Sequence, residues 1–132
     1  CEVKCLYLAH PVSGDVPANI ARALRWLKFL RRHTPDVVIA CPWIASILSG
    51  EDDADPAQRA RGLSDCIEVV QRFDGVILVG GRISDGMRLE GGVVEGRGEI
   101  FDLTHLGEEP PEEWPSGVNP LGVMPVGFER SA

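Results

Sequence analysis

The stretch Gly75-Val76-Ile77-Leu78-Val79, followed after a glycine break by Ser84-Asp85-Gly86-Met87-Arg88-Leu89-Glu90, decides the fold. An unbroken apolar run this short reads as a strand buried on both faces, the pattern of a parallel sheet. The heptad behind it opens a helix, with Ser84 or Asp85 as its cap. A strand leading into a helix start sets those residues at the mouth of an α/β sheet, where such folds bind small molecules. Glu90 is then either a solvated or structural helix residue or a functional carboxylate, and what converges on it decides.

Reading outward, Val3 to Ala9 forms a first strand that ends at His10-Pro11. Pro11 to Pro17 is turn material, in which Asp15 can cap and Pro17 suits a first helical turn. Ile20, Leu24, Leu27 and Leu30, widened by Trp26 and Phe29, predict the apolar stripe of the helix that follows. Asp36 to Cys41 is a second short strand stopped by Pro42, and Trp43 to Leu48 an apolar loop or short helix. Asp55-Pro56 starts a helix that runs to about Arg72, with Leu63, Ile67, Val70 and Phe73 facing inward. A helix over Gly86 to Glu95 and a fourth strand over Glu99 to Leu103 complete the alternation.

The order β-α-β-α-β-α-β predicts an α/β fold, a single-domain parallel sheet flanked by helices with flavodoxin- or Rossmann-like layering. In that layering the strand ends near His10, Pro42, Gly80 and Thr104 face one crevice. Residues 1–106 form the α/β nucleotide-binding or catalytic domain. Residues 107–132 form a proline-rich extension packed on the same domain or on a neighbour. Gly107 to Pro125 holds five prolines and four glutamates, which excludes long regular elements. Val123 to Phe128 reads as a short edge strand.

A chain of 132 residues fits one domain with a real core. Its net charge of -7 disfavours a nonspecific grip on nucleic-acid polymer or on anionic membrane. No apolar stretch is long enough to cross a bilayer, and no signal-peptide pattern is read. The four cysteines contain no CxxC pair and form neither a zinc pattern nor a dense disulfide framework, which suits a reducing cytoplasm.

The sequence lacks GxGxxG after the first strand, GxxxxGK[ST], GxSxG and HExxH. His10, His33 and His105 are too dispersed to predict a metal centre. Carboxylates remain as the reactive vocabulary, and Asp65, Asp74, Asp85, Glu90 and Asp102 are placed nearest the crevice. Asp74 is most simply a polar residue closing a helix before a strand. Ser84, Asp85 and Gly86 can offer a hydroxyl and backbone N–H groups to an anion, or merely cap the helix.

Taken together, Tyr7-Leu8-Ala9-His10-Pro11, Asn19, Cys41-Pro42-Trp43, Asp65, Asp74 and Ser84-x-Gly86-x-x-x-Glu90 resemble the nucleoside 2-deoxyribosyltransferase-like superfamily. Within it, the pattern is most similar to the branch called domain of unknown function 4406 (DUF4406). His10 stands where that pattern has glycine. The resemblance covers roughly residues 3 to 104 and implies that Glu90 is the nucleophile at an anomeric carbon, with Asp65 placing the substrate. It also implies that Ser84, with Gly86, holds a 5'-phosphate, that Asp85 orients the nucleophile or caps the helix, that Tyr7 contacts substrate, and that His10 contacts substrate or phosphate or fills the first loop. Trp43 either stacks a base or fills the core.

The activity implied is a nucleoside 5'-monophosphate N-glycosidase-like hydrolase. Its alternatives are a nucleoside 2-deoxyribosyltransferase and a noncatalytic nucleotide- or ADP-ribose-like ligand-binding protein. The resemblance also implies a homodimer or higher homo-oligomer, and the chemistry requires no metal or organic cofactor.

Overall fold

The computed structural model describes residues 4–52 and 54–115. Strand β1 (Lys4–Ala9) leads to α1 (Val16–His33), β2 (Val37–Ala40), α2 (Pro42–Leu48), α3 (Pro56–Val70) and β3 (Gly75–Leu78). Helix α4 (Asp85–Val94), β4 (Glu99–Asp102) and a 3-10 turn at Thr104–Leu106 follow. The four strands pair in parallel in the order β2-β1-β3-β4, so the predicted α/β layering holds. The predicted edge strand at Val123 to Phe128 lies outside the described residues, as does Cys1.

Local chemistry explains the boundaries. The Asp15 carboxylate accepts the Ala18 N–H at 3.2 Å and Pro17 sits in the first turn, so α1 starts where the sequence requires. Pro42 occupies the first turn of α2, making the apolar segment a helix rather than a loop. Asp74 joins strand starts: its carboxylate accepts the Cys5 N–H at 2.8 Å and its carbonyl the Glu99 N–H at 3.1 Å. That places Asp74 at the end of the sheet away from the crevice, a correction to its grouping with the crevice carboxylates.

Alternation along β1 divides the core. Leu6 and Leu8 face α1 with Ile77, Val79, Phe101 and the α1 residues Trp26, Phe29 and Leu30. Tyr7 and Ala9 face the opposite layer, with Trp43 and Ile44 of α2, Val70 of α3 and Met87 and Val94 of α4. The buried stripe of α1 is Asn19, Ile20, Ala23, Trp26, Phe29 and Leu30, so the expected Leu24 is instead 45% exposed. Ala23 carries the inward position because a small side chain lets the helix approach.

Beyond β4 the chain lies across α1. The Trp26 indole N–H donates to the Glu108 carbonyl at 2.8 Å, and Arg22 and Arg25 both bond the Glu109 carboxylate. Trp114 stacks on Phe29 with ring centroids 5.6 Å apart and planes within 5° of parallel. No helix among the described residues is long and apolar enough to cross a membrane.

Candidate active site at the sheet switch point

The chain leaves β1 for β2 on one side and returns to β3 on the other, so strand order reverses between β1 and β3. Open α/β sheets bind ligands at that switch point, outside the carboxyl ends of the strands. His10 follows β1 there and Gly80 follows β3. Gly80 has φ +106°, and a Cβ on it would sit 2.8 Å from the His10 ring and 2.8 Å from Pro11. Only glycine permits this backbone conformation and this approach without strain.

A cavity opens between this point and helices α2, α3 and α4. It is walled by His10 and Ser13 after β1, by Trp43 on α2, and by Arg59 and Cys66 on α3. Ser84, Gly86 and Glu90 supply the α4 side. The cavity volume is about 70 Å³. The cavity opens outward to solvent past these side chains.

Glu90 is the chemical centre. It lies on the inward face of α4 with Met87, Gly91 and Val94 and is only 7% exposed. Tyr7, fully buried on β1, donates its phenolic O–H to the Glu90 carboxylate at 2.7 Å. Burial pushes the Glu90 pKa up to about 7, the Tyr7 bond opposing it. Burial, and next the Glu90 charge, holds the Tyr7 phenol far above its ordinary range, so Tyr7 remains a donor. Cys66, beside this pair, is pushed up to about 11 by burial and stays a thiol at neutral pH.

The other predicted residues divide. The Ser84 hydroxyl accepts the Met87 N–H at 3.3 Å, so the residue caps α4 and still faces the cavity. Trp43 is buried, lines the cavity and donates its indole N–H to the Leu8 carbonyl at 2.9 Å. Both the core role and a ligand-facing role are therefore open to its ring. Asp85 is exposed in the first turn of α4 and is not part of the wall. Asp65 points outward from α3 with its side chain 64% exposed and Arg61 3.9 Å away. Neither carboxylate can touch a ligand in the cavity in this arrangement. Asp102 is occupied by its own turn, accepting the Thr104 N–H at 2.9 Å and hydroxyl at 2.6 Å.

Arg59 and Cys66 were not anticipated. With Gly62 and Leu63, they form an i, i+3, i+4, i+7 stripe on α3 that faces the cavity. Arg59 donates to the Ser13 hydroxyl across the opening at 2.5 Å. The helical spacing was readable, but polar and small residues facing a cavity look like residues facing solvent.

Comparison with known proteins now bears on the family. The model of a domain of unknown function, DUF7768, matches residues 4–99. The chain belongs to the DUF7768 family. This corrects the resemblance to DUF4406 and to the nucleoside 2-deoxyribosyltransferase-like superfamily, and the hydrolase and glycosidase labels drawn from it lose that support. The quoted motifs are short and widely separated along the chain. No curated protein and no solved structure matches the DUF7768 chain. The roles of the cavity residues therefore rest on their geometry.

Proposed function

We propose that the cavity binds a small nucleoside 5'-monophosphate and that Glu90 attacks the anomeric carbon of its sugar. The observation that carries this reading is the Tyr7–Glu90 pair, a carboxylate and phenol buried together at a cavity on the sheet switch point. The cavity is open on one side, and the Trp43 ring in its wall offers a flat surface to a planar base. The wall also carries the Glu51 and Glu90 carboxyl groups, so an anionic group such as phosphate is placed at Arg59, the Ser84 hydroxyl and the start of α4.

In the proposed step the ionised Glu90 oxygen forms a bond to the anomeric carbon as the bond to the base nitrogen breaks. The departing base takes a proton from water. The hydroxide left by that water then cleaves the sugar ester, restoring the ionised Glu90 carboxylate and releasing the sugar phosphate. A second base accepting the sugar in place of water gives exchange instead. Tyr7 steadies the carboxylate and holds its pKa below the value burial alone would impose.

One feature favours a noncatalytic binding site: near neutral pH a large share of Glu90 is protonated and can donate a hydrogen bond to a ligand. Incubation with nucleosides and their 5'-monophosphates, with and without a second base, separates the readings by chromatography of the released base. Free base lost in Glu90→Gln supports catalysis by Glu90. Saturable binding with no turnover assigns the cavity to recognition alone. Absence of both binding and turnover across the panel overturns the nucleotide reading.

A further inference from the structure

His10 is 3% exposed and forms part of the cavity wall. Its Nδ1 lies 2.7 Å from the Pro11 carbonyl oxygen, which can only accept, so Nδ1 carries the proton. The neutral ring then presents Nε2 as a bare acceptor, and that buried atom has no hydrogen-bond partner. A buried, unsatisfied polar atom is costly and calls for an explanation. A Cβ at Gly80 would fall 2.9 Å from Nε2, so the glycine keeps a side chain from crowding that edge of the ring.

From this geometry we infer that His10 is a specificity residue whose Nε2 accepts a hydrogen bond from an O–H or N–H group of the bound ligand. The inference deepens the nucleotide reading and rests on it for the identity of the ligand. A nucleotide has two groups of this kind that can be removed one at a time, a sugar hydroxyl and the exocyclic amine of its base. An ionised phosphate oxygen has no proton to give, and its lone pairs repel those of Nε2. His10 therefore selects a donor, while any anionic group belongs on the Arg59 and Ser84 side.

The charge state agrees with this role. Burial lowers the His10 pKa below the usual imidazole value, and the Pro11 bond opposes it. Arg22 and Arg82 lower it further, while Glu109 acts in the opposite sense. The ring is thus neutral at pH 7, with its acceptor available.

The test has a ligand-free arm and a ligand arm, both on the full chain. Nitrogen NMR of the wild type reads the tautomer directly. A protonated Nδ1 and bare Nε2 at pH 7 are expected, and a protonated Nε2 overturns the inference whatever the cavity binds. Calorimetry then compares adenosine, 2'-deoxyadenosine and purine riboside 5'-monophosphates on the wild type, His10→Phe and His10→Gln.

Wild type is expected to prefer the ligand carrying the donor by roughly three- to tenfold, the worth of one hydrogen bond. Loss of the 2'-hydroxyl preference in His10→Phe identifies the sugar, and loss of the amine preference identifies the base. Recovery in His10→Gln, which restores an acceptor, supports the inference. Unchanged preferences in His10→Phe overturn it, as does an equal loss for all three ligands that glutamine does not restore. A wild type that binds none of them instead overturns the nucleotide reading, and the ligand assignment with it.

Discussion

Replacing Glu90 by glutamine should make the protein more stable above neutral pH, and the size of the gain follows from the buried carboxyl. Its pKa is 4.5 in an unfolded chain and about 7 in the folded one, raised first by burial. The folded state therefore holds a proton more tightly by about 3 kcal/mol. Between those two pH values the folded state binds more protons than the unfolded state, so stability falls as pH rises. The contribution is fully present below pH 4.5 and is lost as pH passes through about 7. Glutamine keeps the shape and an acceptor for the Tyr7 hydroxyl but cannot ionise. Urea unfolding of both proteins at pH 5, 6, 7 and 8 gives the difference in stability, in which other titrating groups cancel. Glu90→Gln minus wild type should grow by up to about 3 kcal/mol across that range. A difference that is flat with pH, or that grows in favour of the wild type, refutes the burial argument.

Other substitutions test the rest of the site. Tyr7→Phe removes the bond that lowers the Glu90 pKa, so any activity requiring ionised Glu90 should show its rising pH limb displaced to higher pH; an unmoved limb dissociates the pair from the chemistry. Gly80→Ala forces a side chain into a conformation with φ +106° and against His10, and should cost about 1–3 kcal/mol in urea unfolding. A loss below about 0.5 kcal/mol, the range of an unremarkable surface change, would refute the close-approach argument. Asp65→Ala should leave ligand binding unchanged and stability within about 0.5 kcal/mol, because its ion pair with Arg61 is solvent-exposed. A large loss of binding would return Asp65 to the site.

The central strand β3 was legible because it is a short apolar run between Asp74 and Gly80, and burial on both faces needs no alternation. Helix starts were legible where a cap and a proline coincide, as at Asp15 and Pro17. The inward face of α1 was misplaced at Leu24 because hydrophobicity favours leucine while the packing selects Ala23. Asp65 and Asp85 could not be sorted from Glu90 by residue type, since helix phase separates them. Glu90 falls on the Met87, Gly91 and Val94 stripe, whereas Asp85 and Leu89 are exposed. Its partner Tyr7 is 83 residues distant in sequence, and only the pairing of β1 with β3 brings β1 beneath α4. The matching motifs led to the wrong family for the same reason: they record the architecture more than the chemistry.

The position of Glu90 is itself the strongest physical argument for a site. A carboxyl facing an apolar cluster that includes Met87, Val94, Val70 and Tyr7 is a poor choice for stability, since it weakens the fold as pH rises toward its own pKa. Helix α3, forming one cavity wall, adds little compensation: Val70 is its sole fully buried residue among those described, although Leu63, Cys66 and Ile67 are half-buried. An aliphatic residue at position 90 would complete the apolar α4 stripe. The sequence instead supplies an ionisable group, a phenol aimed at it, and an unpartnered imidazole nitrogen in the wall of the same cavity. Local rules broken together around one cavity, while the rest of the sheet obeys them, are the pattern expected where function opposes packing. The pH dependence of Glu90→Gln measures that opposition directly, whatever ligand the cavity takes.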